Sequence, residues 1–262
     1  MYNFEFERPS SVDDAVQSLG GEALALGGGQ TLIPALKQRL NQPDKLVSLT
    51  GISELNGISM LSDGRLSVKG ATTHATVAEQ AREHYPALAD LARHIGDPAV
   101  RNRGTIGGSL ANNDPAACYP AAVLGSDATV VTNAREISAS DFFTGMFATV
   151  LSDNEIITEV RFQVPSSANY QKFLQPASRF ALTGVFVAKF ADGVRVAVTG
   201  ASENGVFRWA DAESALSANF TQSAVENSSV SPDGMISDLH GSAAYRASLV
   251  KTLTKRAVAA AS

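Results

Sequence analysis

The spacing of apolar positions changes repeatedly along this 262-residue chain, and each change marks an expected element. Alternation over Asn3–Phe6 reads as a short strand. Val12–Leu19 has helical spacing, with Ser11 as N-cap, Asp13 and Asp14 in the first turn, and Gly20 and Gly21 as the stop. Ala23–Leu26 reads as a short buried strand that runs straight into Gly27, Gly28 and Gly29. A helix or irregular turn through Leu32–Leu40 and a strand at Lys45–Leu49 complete a small α/β unit.

From about Leu55 the texture differs. Gly57–Met60 and Arg65–Lys69 read as strands paired around Ser62, Asp63 and Gly64. Thr76–Glu83 and Ala87–His94 have helical spacing, and a long Gly- and Asn-rich stretch follows from Gly96 to Asp114. Ala128–Thr132 and Glu155–Val164 read as strands, with a helical turn at Asp141–Met146. Pro165–Asn169 is the best linker candidate. Beyond it come an apolar helix at Ala181–Phe190, an alternating strand at Val194–Gly200, and helices near Ala210–Ala218 and Ala243–Ala261. There is no internal repeat. The pattern is α+β, in two parts divided near residue 165.

Composition narrows the class. Apolar residues at 44% and charged residues at 18% suit an ordered globular chain. A net charge of −5 argues against a nucleic-acid role, which needs a dense basic surface. The opening segment carries Glu5, Glu7 and Arg8 where a signal peptide needs an apolar run, and no window approaches the roughly 20 apolar residues of a membrane span. The cytoplasm is therefore the expected compartment. Cys118 is the sole cysteine, so neither a disulfide nor a self-contained iron–sulfur cluster is possible within one chain. Any redox centre in this chain is organic, or belongs to a partner.

Two segments carry candidate chemistry. The first is Gly27-Gly28-Gly29-Gln30-Thr31-Leu32, whose glycines let backbone N–H groups crowd an anion such as a pyrophosphate. It is neither GxGxxG nor GxxxxGK[ST], and an ordinary glycine-rich turn accounts for it equally well. The second runs from Arg101 to Pro115 and combines glycines with Thr105, Ser109 and Asn112 as side-chain donors. Asp114 precedes Pro115 and is held extended, so its carboxylate is placed to accept from a sugar or ribityl hydroxyl. Two such loops, each read as following a buried strand, suit a dinucleotide threaded between two lobes.

These residues resemble the FAD-binding, medium subunit of the molybdenum hydroxylases, the group that includes xanthine dehydrogenase and aerobic carbon monoxide dehydrogenase. GGGQTLIP resembles the family's first loop, and IGDPAVRNRGTIGGSLANNDPAA its long second block. FFTGMF, LSDNEIITEVRFQVP and Tyr170-Gln171-Lys172-Phe173 continue the likeness, which spans nearly the whole chain. The resemblance implies a two-lobed FAD-binding domain of the vanillyl-alcohol oxidase or PCMH type at residues 1–164, with lobes at about 1–54 and 55–164. A smaller α+β domain of the carbon monoxide dehydrogenase flavoprotein type would occupy residues 170–262. It places FAD on Gly27, Gly28, Gly29, Gln30, Thr31 and Leu32, then on Thr105, Ile106, Gly107, Gly108 and Ser109, with Asn112 and Asp114 beside them. Ile157 would lie near the isoalloxazine and Lys172 near its polar edge. Cys118 stands where relatives usually carry an acidic residue that contacts the flavin. A small buried residue needs no further role there, although a thiol at that place is also a candidate flavin anchor.

The same resemblance implies partners: a small subunit with 2Fe–2S clusters and a large molybdopterin subunit, assembled as a dimer of heterotrimers. Electrons would pass from the clusters through FAD to an external acceptor. A stand-alone flavin oxidase or dehydrogenase of the same fold is the alternative, and a module that has lost its flavin is a third. No catalytic dyad stands out, and His74, His84, His94 and His240 lack metal-ligand spacing. Phe142, Phe143, Met146 and Phe147 crowd together as candidates for the core or for a partner contact.

Overall fold

A computed structural model describes residues 1–261. The first lobe comprises β1 (Glu5–Glu7), α1 (Val12–Ser18), β2 (Ala23–Leu26), α2 (Leu32–Lys37) and β3 (Lys45–Ser48). Its three strands are parallel in the order β1-β3-β2, with Glu5 and Ala23 both in register with Lys45. Ser11 caps α1 as its sequence foretold, taking the Asp14 N–H at 3.1 Å. Strand β2 is less buried than expected, because it forms the sheet edge and leaves Leu24 and Ala25 exposed.

The second lobe opens with the hairpin β4 (Ile58–Met60) and β5 (Leu66–Lys69), followed by α3 (His74–Gln80) and α4 (Pro86–Arg93). The Gly- and Asn-rich stretch contains two short helices, α5 (Pro98–Arg101) and α6 (Ile106–Asn112). Glycine is a poor helix former, but Asp97 and Thr105 cap these helices by accepting the amides of Val100 and Gly108. Helix α7 (Tyr119–Gly125) had no sequence signal, because all seven of its residues are buried and it has no polar face. Then come β6 (Thr129–Thr132), β7 (Glu136–Ser138), α8 (Ala139–Phe142), β8 (Phe143–Gly145), β9 (Ala148–Thr149) and β10 (Ile157–Phe162). The helical turn expected at Asp141–Met146 thus ends at Phe142 and gives way to the tight β8–β9 hairpin. Asn113 holds that hairpin through the Gly145 and Ala148 carbonyls. Phe142 is fully buried, whereas Phe147 at the tip, in left-handed conformation, is 62% exposed. The main sheet of this lobe is antiparallel, in the order β4-β5-β10-β6-β7.

The C-terminal part is an antiparallel sheet of β11 (Ser167–Leu174), β12 (Ala181–Phe190), β13 (Gly193–Thr199) and β14 (Phe207–Arg208), packed by α9 (Ala210–Ala218) and α10 (Ala243–Ala260). Ala181–Phe190 is a strand and not the expected helix. Its apolar run is continuous because both faces are covered, which removes the alternation that marks a strand in sequence. Ser167–Asn169, read as linker, belong to β11. Tyr170, Phe186, Ala188 and Ala197 join the second lobe's core. The opposite face sets Val185, Val187, Val196 and Val198 against Trp209, Leu216, Val250 and Leu253. Among the described residues no helix is long and apolar enough to cross a membrane.

One buried cation fixes α10 to this sheet. Arg246, 2% exposed, donates to the Leu182 and Gly200 carbonyls at 2.6 and 2.7 Å, and its Nη2 donates to both Asp238 carboxylate oxygens at 2.8 and 2.9 Å. Asp238→Ala leaves this guanidinium without its counter-charge, and because Asp238 itself is partly exposed the loss should be about 1–3 kcal/mol. Chemical denaturation should show that loss as a lower midpoint at unchanged slope. An unchanged midpoint would mean that the two carbonyls alone suffice.

Candidate functional site

Strand β2 delivers Gly27–Thr31 to the seam between the lobes, where the turn between α5 and α6 meets it. The approach is backbone to backbone. A Cβ on Gly28 would lie 1.8 Å from the Arg103 carbonyl oxygen and 2.6 Å from the Gly104 Cα. Behind the seam, Gly107 donates its N–H to the Gly70 carbonyl at 2.8 Å, and a Gly107 Cβ would sit 2.6 Å from that oxygen. Gly70 in turn faces the Ile157 carbonyl so closely that its own Cβ would be 2.0 Å away. The second loop follows helix α5 and not a strand, so the expectation of two strand-led loops holds only for the first.

A cavity of about 600 Å³ opens beside this seam. Gly27, Gly28, Gly29, Gln30, Thr31 and Leu32 line one side of it. Thr105, Gly107, Gly108, Ser109, Asn112 and Asp114 line another, with Cys118, Ile157 and Lys172 completing the wall. Ile106 is the exception among the expected residues: its side chain is fully buried in the second lobe's core.

The two loops differ in what they offer. The amides of Ile106, Gly107, Gly108 and Ser109 donate to Thr72 O, Gly70 O, Thr105 Oγ1 and Thr105 O respectively. The backbone donors expected of the second loop are thus engaged within the protein. By contrast the amides of Gly28, Gly29, Gln30 and Thr31 have no acceptor among the described residues. The Gln30 side chain closes this loop by donating to the Gly28 carbonyl at 3.2 Å, and Gly29 adopts the left-handed φ of +73°. Successive unpaired amides in such a loop form an anion-binding nest.

Side chains supply the remaining polarity. Burial pushes the Asp114 carboxyl above its usual range, against the Ala116 N–H that donates to it at 2.8 Å. Lys172 extends from β11 and donates to the His94 carbonyl at 3.0 Å and to Cys118 Sγ at 3.4 Å. His94 itself ends α4 with its ring turned to Asp90. Cys118 is 5% exposed and stands just before α7, its thiol beside Lys172 Nζ. Sequence reasoning missed other residues on this wall, among them Gly70, His74, Arg179 and Phe180. Gly70 lies between the hairpin and α3, His74 opens α3, and Arg179 and Phe180 lie on the β11–β12 turn. The helix expected at Ala181–Phe190 hid that turn, while the close approach that needs Gly70 has no local signature. Among the described residues no three metal-ligating side chains converge.

Comparison with known proteins agrees with this geometry. A family model described as the FAD binding domain in molybdopterin dehydrogenase matches residues 2–166. The carbon monoxide dehydrogenase medium chain of Hydrogenophaga pseudoflava is 33% identical, over 98% of this chain and 96% of its own. The nicotine 6-hydroxylase medium subunit of Paenarthrobacter nicotinovorans is 34% identical, over 97% of this chain and 95% of its own. The crystal structure of quinoline 2-oxidoreductase from Pseudomonas putida 86 includes a chain that superposes with a TM-score of 0.88 at 30% identity, covering 98% of this chain and 96% of that one. A two-lobed fold meeting at glycine loops, a family match across the lobes and full-length relatives agree, and the chain belongs to the FAD-binding medium subunits of the molybdenum hydroxylases.

Proposed function

We propose that the cavity holds FAD and that the chain relays electrons from the 2Fe–2S clusters of a small partner, through FAD, to an external acceptor. Substrate oxidation would take place at the molybdopterin centre of a large partner. The observation that carries this reading is the run of unpaired amides from Gly28 to Thr31, facing a wall whose glycines leave no side chain in the way. Those residues fit a pyrophosphate: the unpaired amides are its donors, and the glycines let this loop close against Arg103 and Gly104 beside the cavity. Thr105, Ser109, Asn112 and Asp114 fit the hydroxyls of a ribityl chain, and Ile157 and Lys172 the ring system.

FAD, when bound, supplies the redox chemistry, and the protein positions it and sets its potential. The chain's own work is to bind the phosphates, exclude water through the buried wall and hold a cation at Lys172. The relatives' names point to substrates as unlike as carbon monoxide and nicotine. That spread supports a substrate site in a partner and a common electron path here. The reading includes a flavin domain at residues 1–164, a C-terminal domain at 170–262, a cytoplasmic complex and a dimer of heterotrimers.

Two measurements test it. The isolated chain should bind FAD yet show no substrate-dependent flavin reduction under anaerobic conditions, and adding the cluster-bearing and molybdenum-bearing partners should restore reduction. Turnover by the lone chain at about 1–1000 per second would replace the relay with a stand-alone oxidase. At the seam, Gly28→Ala drives a methyl into the Arg103 carbonyl and should weaken FAD binding at least about tenfold, or ~1.4 kcal/mol. Gly20→Ala, whose Cβ meets nothing within 4 Å, is the control and should bind FAD normally. Equal affinity in both variants would remove the first loop from the site.

A further inference from the structure

We propose that His74 is a hydrogen-bonding member of the dinucleotide cavity, its ring N–H donating to the pyrophosphate held by the first loop. The proposal rests on the FAD reading above. His74 opens α3 behind the N-cap Thr73, and its amide donates to the Gly104 carbonyl at 2.9 Å. Its ring lies against the same residue: a Cβ on Gly104 would come 2.5 Å from Nε2. Gly104 is also the residue whose Cα meets Gly28 across the seam. The imidazole therefore stands one backbone width from the unpaired amides.

The ring is 5% exposed and lines the cavity, with its inner side on Tyr119 at a centroid distance of 5.3 Å. Neither ring nitrogen has a hydrogen-bond partner among the described residues, and Nδ1 is sealed from solvent. Nδ1 is out of reach of any ligand, so the ring's proton is least costly on Nε2, the nitrogen left accessible, and a cavity ligand is the partner available to it. The need is on this side. The second loop's amides from Ile106 to Ser109 are engaged, so a donor there has to come from a side chain. Burial first, then the positive charge of Arg101, pushes the His74 pKa down to about 4. At neutral pH the ring is uncharged, with one N–H to give. With Nδ1 sealed, Nε2, which lies against the cavity-lining Gly104, is the nitrogen placed to carry it.

Substitutions separate hydrogen bonding from simple bracing. A glutamine amide can take the place of Nε2, whereas phenylalanine keeps the ring's packing on Tyr119 and Gly104 without either nitrogen. His74→Phe should weaken FAD binding about 10- to 100-fold, the loss expected for a hydrogen bond to a charged group. His74→Gln should stay within a few-fold of the parent, and the apo-protein melting temperatures of the two should match. FAD added to the ¹⁵N-histidine-labelled parent should shift the His74 Nε2–H resonance, a readout that needs no variant to fold. Parent-like affinity in His74→Phe, equal losses in both variants, or an unmoved resonance would each overturn the proposal. Failure of the parent itself to bind FAD would instead strike down the reading on which it rests.

Discussion

The site depends on three places where backbone touches backbone with no side chain between. Gly28 meets Arg103 and Gly104, Gly107 meets Gly70, and Gly70 meets Ile157. Each contact is closer than any Cβ allows, so steric exclusion alone demands glycine there, whatever ligand is bound. These contacts align the first lobe's loop with α6 and with strand β10. The cavity is the space left beside that seam. Its walls come from loops, from α2, α3, α5 and α6, and from the β11–β12 turn, but its dimensions come from the glycines.

Close approach has a second effect, on hydrogen bonding. Pulling α6 against Gly70 and Thr72 engages its first amides, and the second loop becomes a structural wedge with side-chain hydroxyls on its surface. The first loop makes no such contacts and keeps its donors unpaired. One glycine loop spends its amides on the fold and the other leaves them unpaired, although both look alike in composition.

That division explains how much could be read in advance. The capped helix α1, the β4–β5 hairpin, the long α10 and the cavity-lining Gly27, Gly28, Gly29, Gly107 and Gly108 were legible, because local rules govern them: caps, turn residues and periodicity. Ile106 was placed in the site through its neighbours, yet its apolar side chain belongs to the core, as helical geometry requires of a residue between capping Thr105 and Gly107. Helix α7 and strand β12 were illegible or misread for one reason. Full burial erases the polar face that distinguishes a helix from a strand in sequence. His74 was passed over because its significance comes from Gly104 and Tyr119, both distant along the chain.

Strand β12 gives one face to the second lobe's core and the other to α9 and α10. Local opening of the C-terminal sheet would therefore expose both cores at once, and the two should exchange their amide hydrogens as a single cooperative unit. The first lobe shares no such strand. Its small core reaches the second lobe through Leu55, Ala71 and Ile156, beside the glycine seam. That makes it the part of the fold best placed to open by itself. A ligand spanning the seam ties the least protected segment to the most protected one, so occupancy is recorded in the exchange rates of β1, β2 and β3.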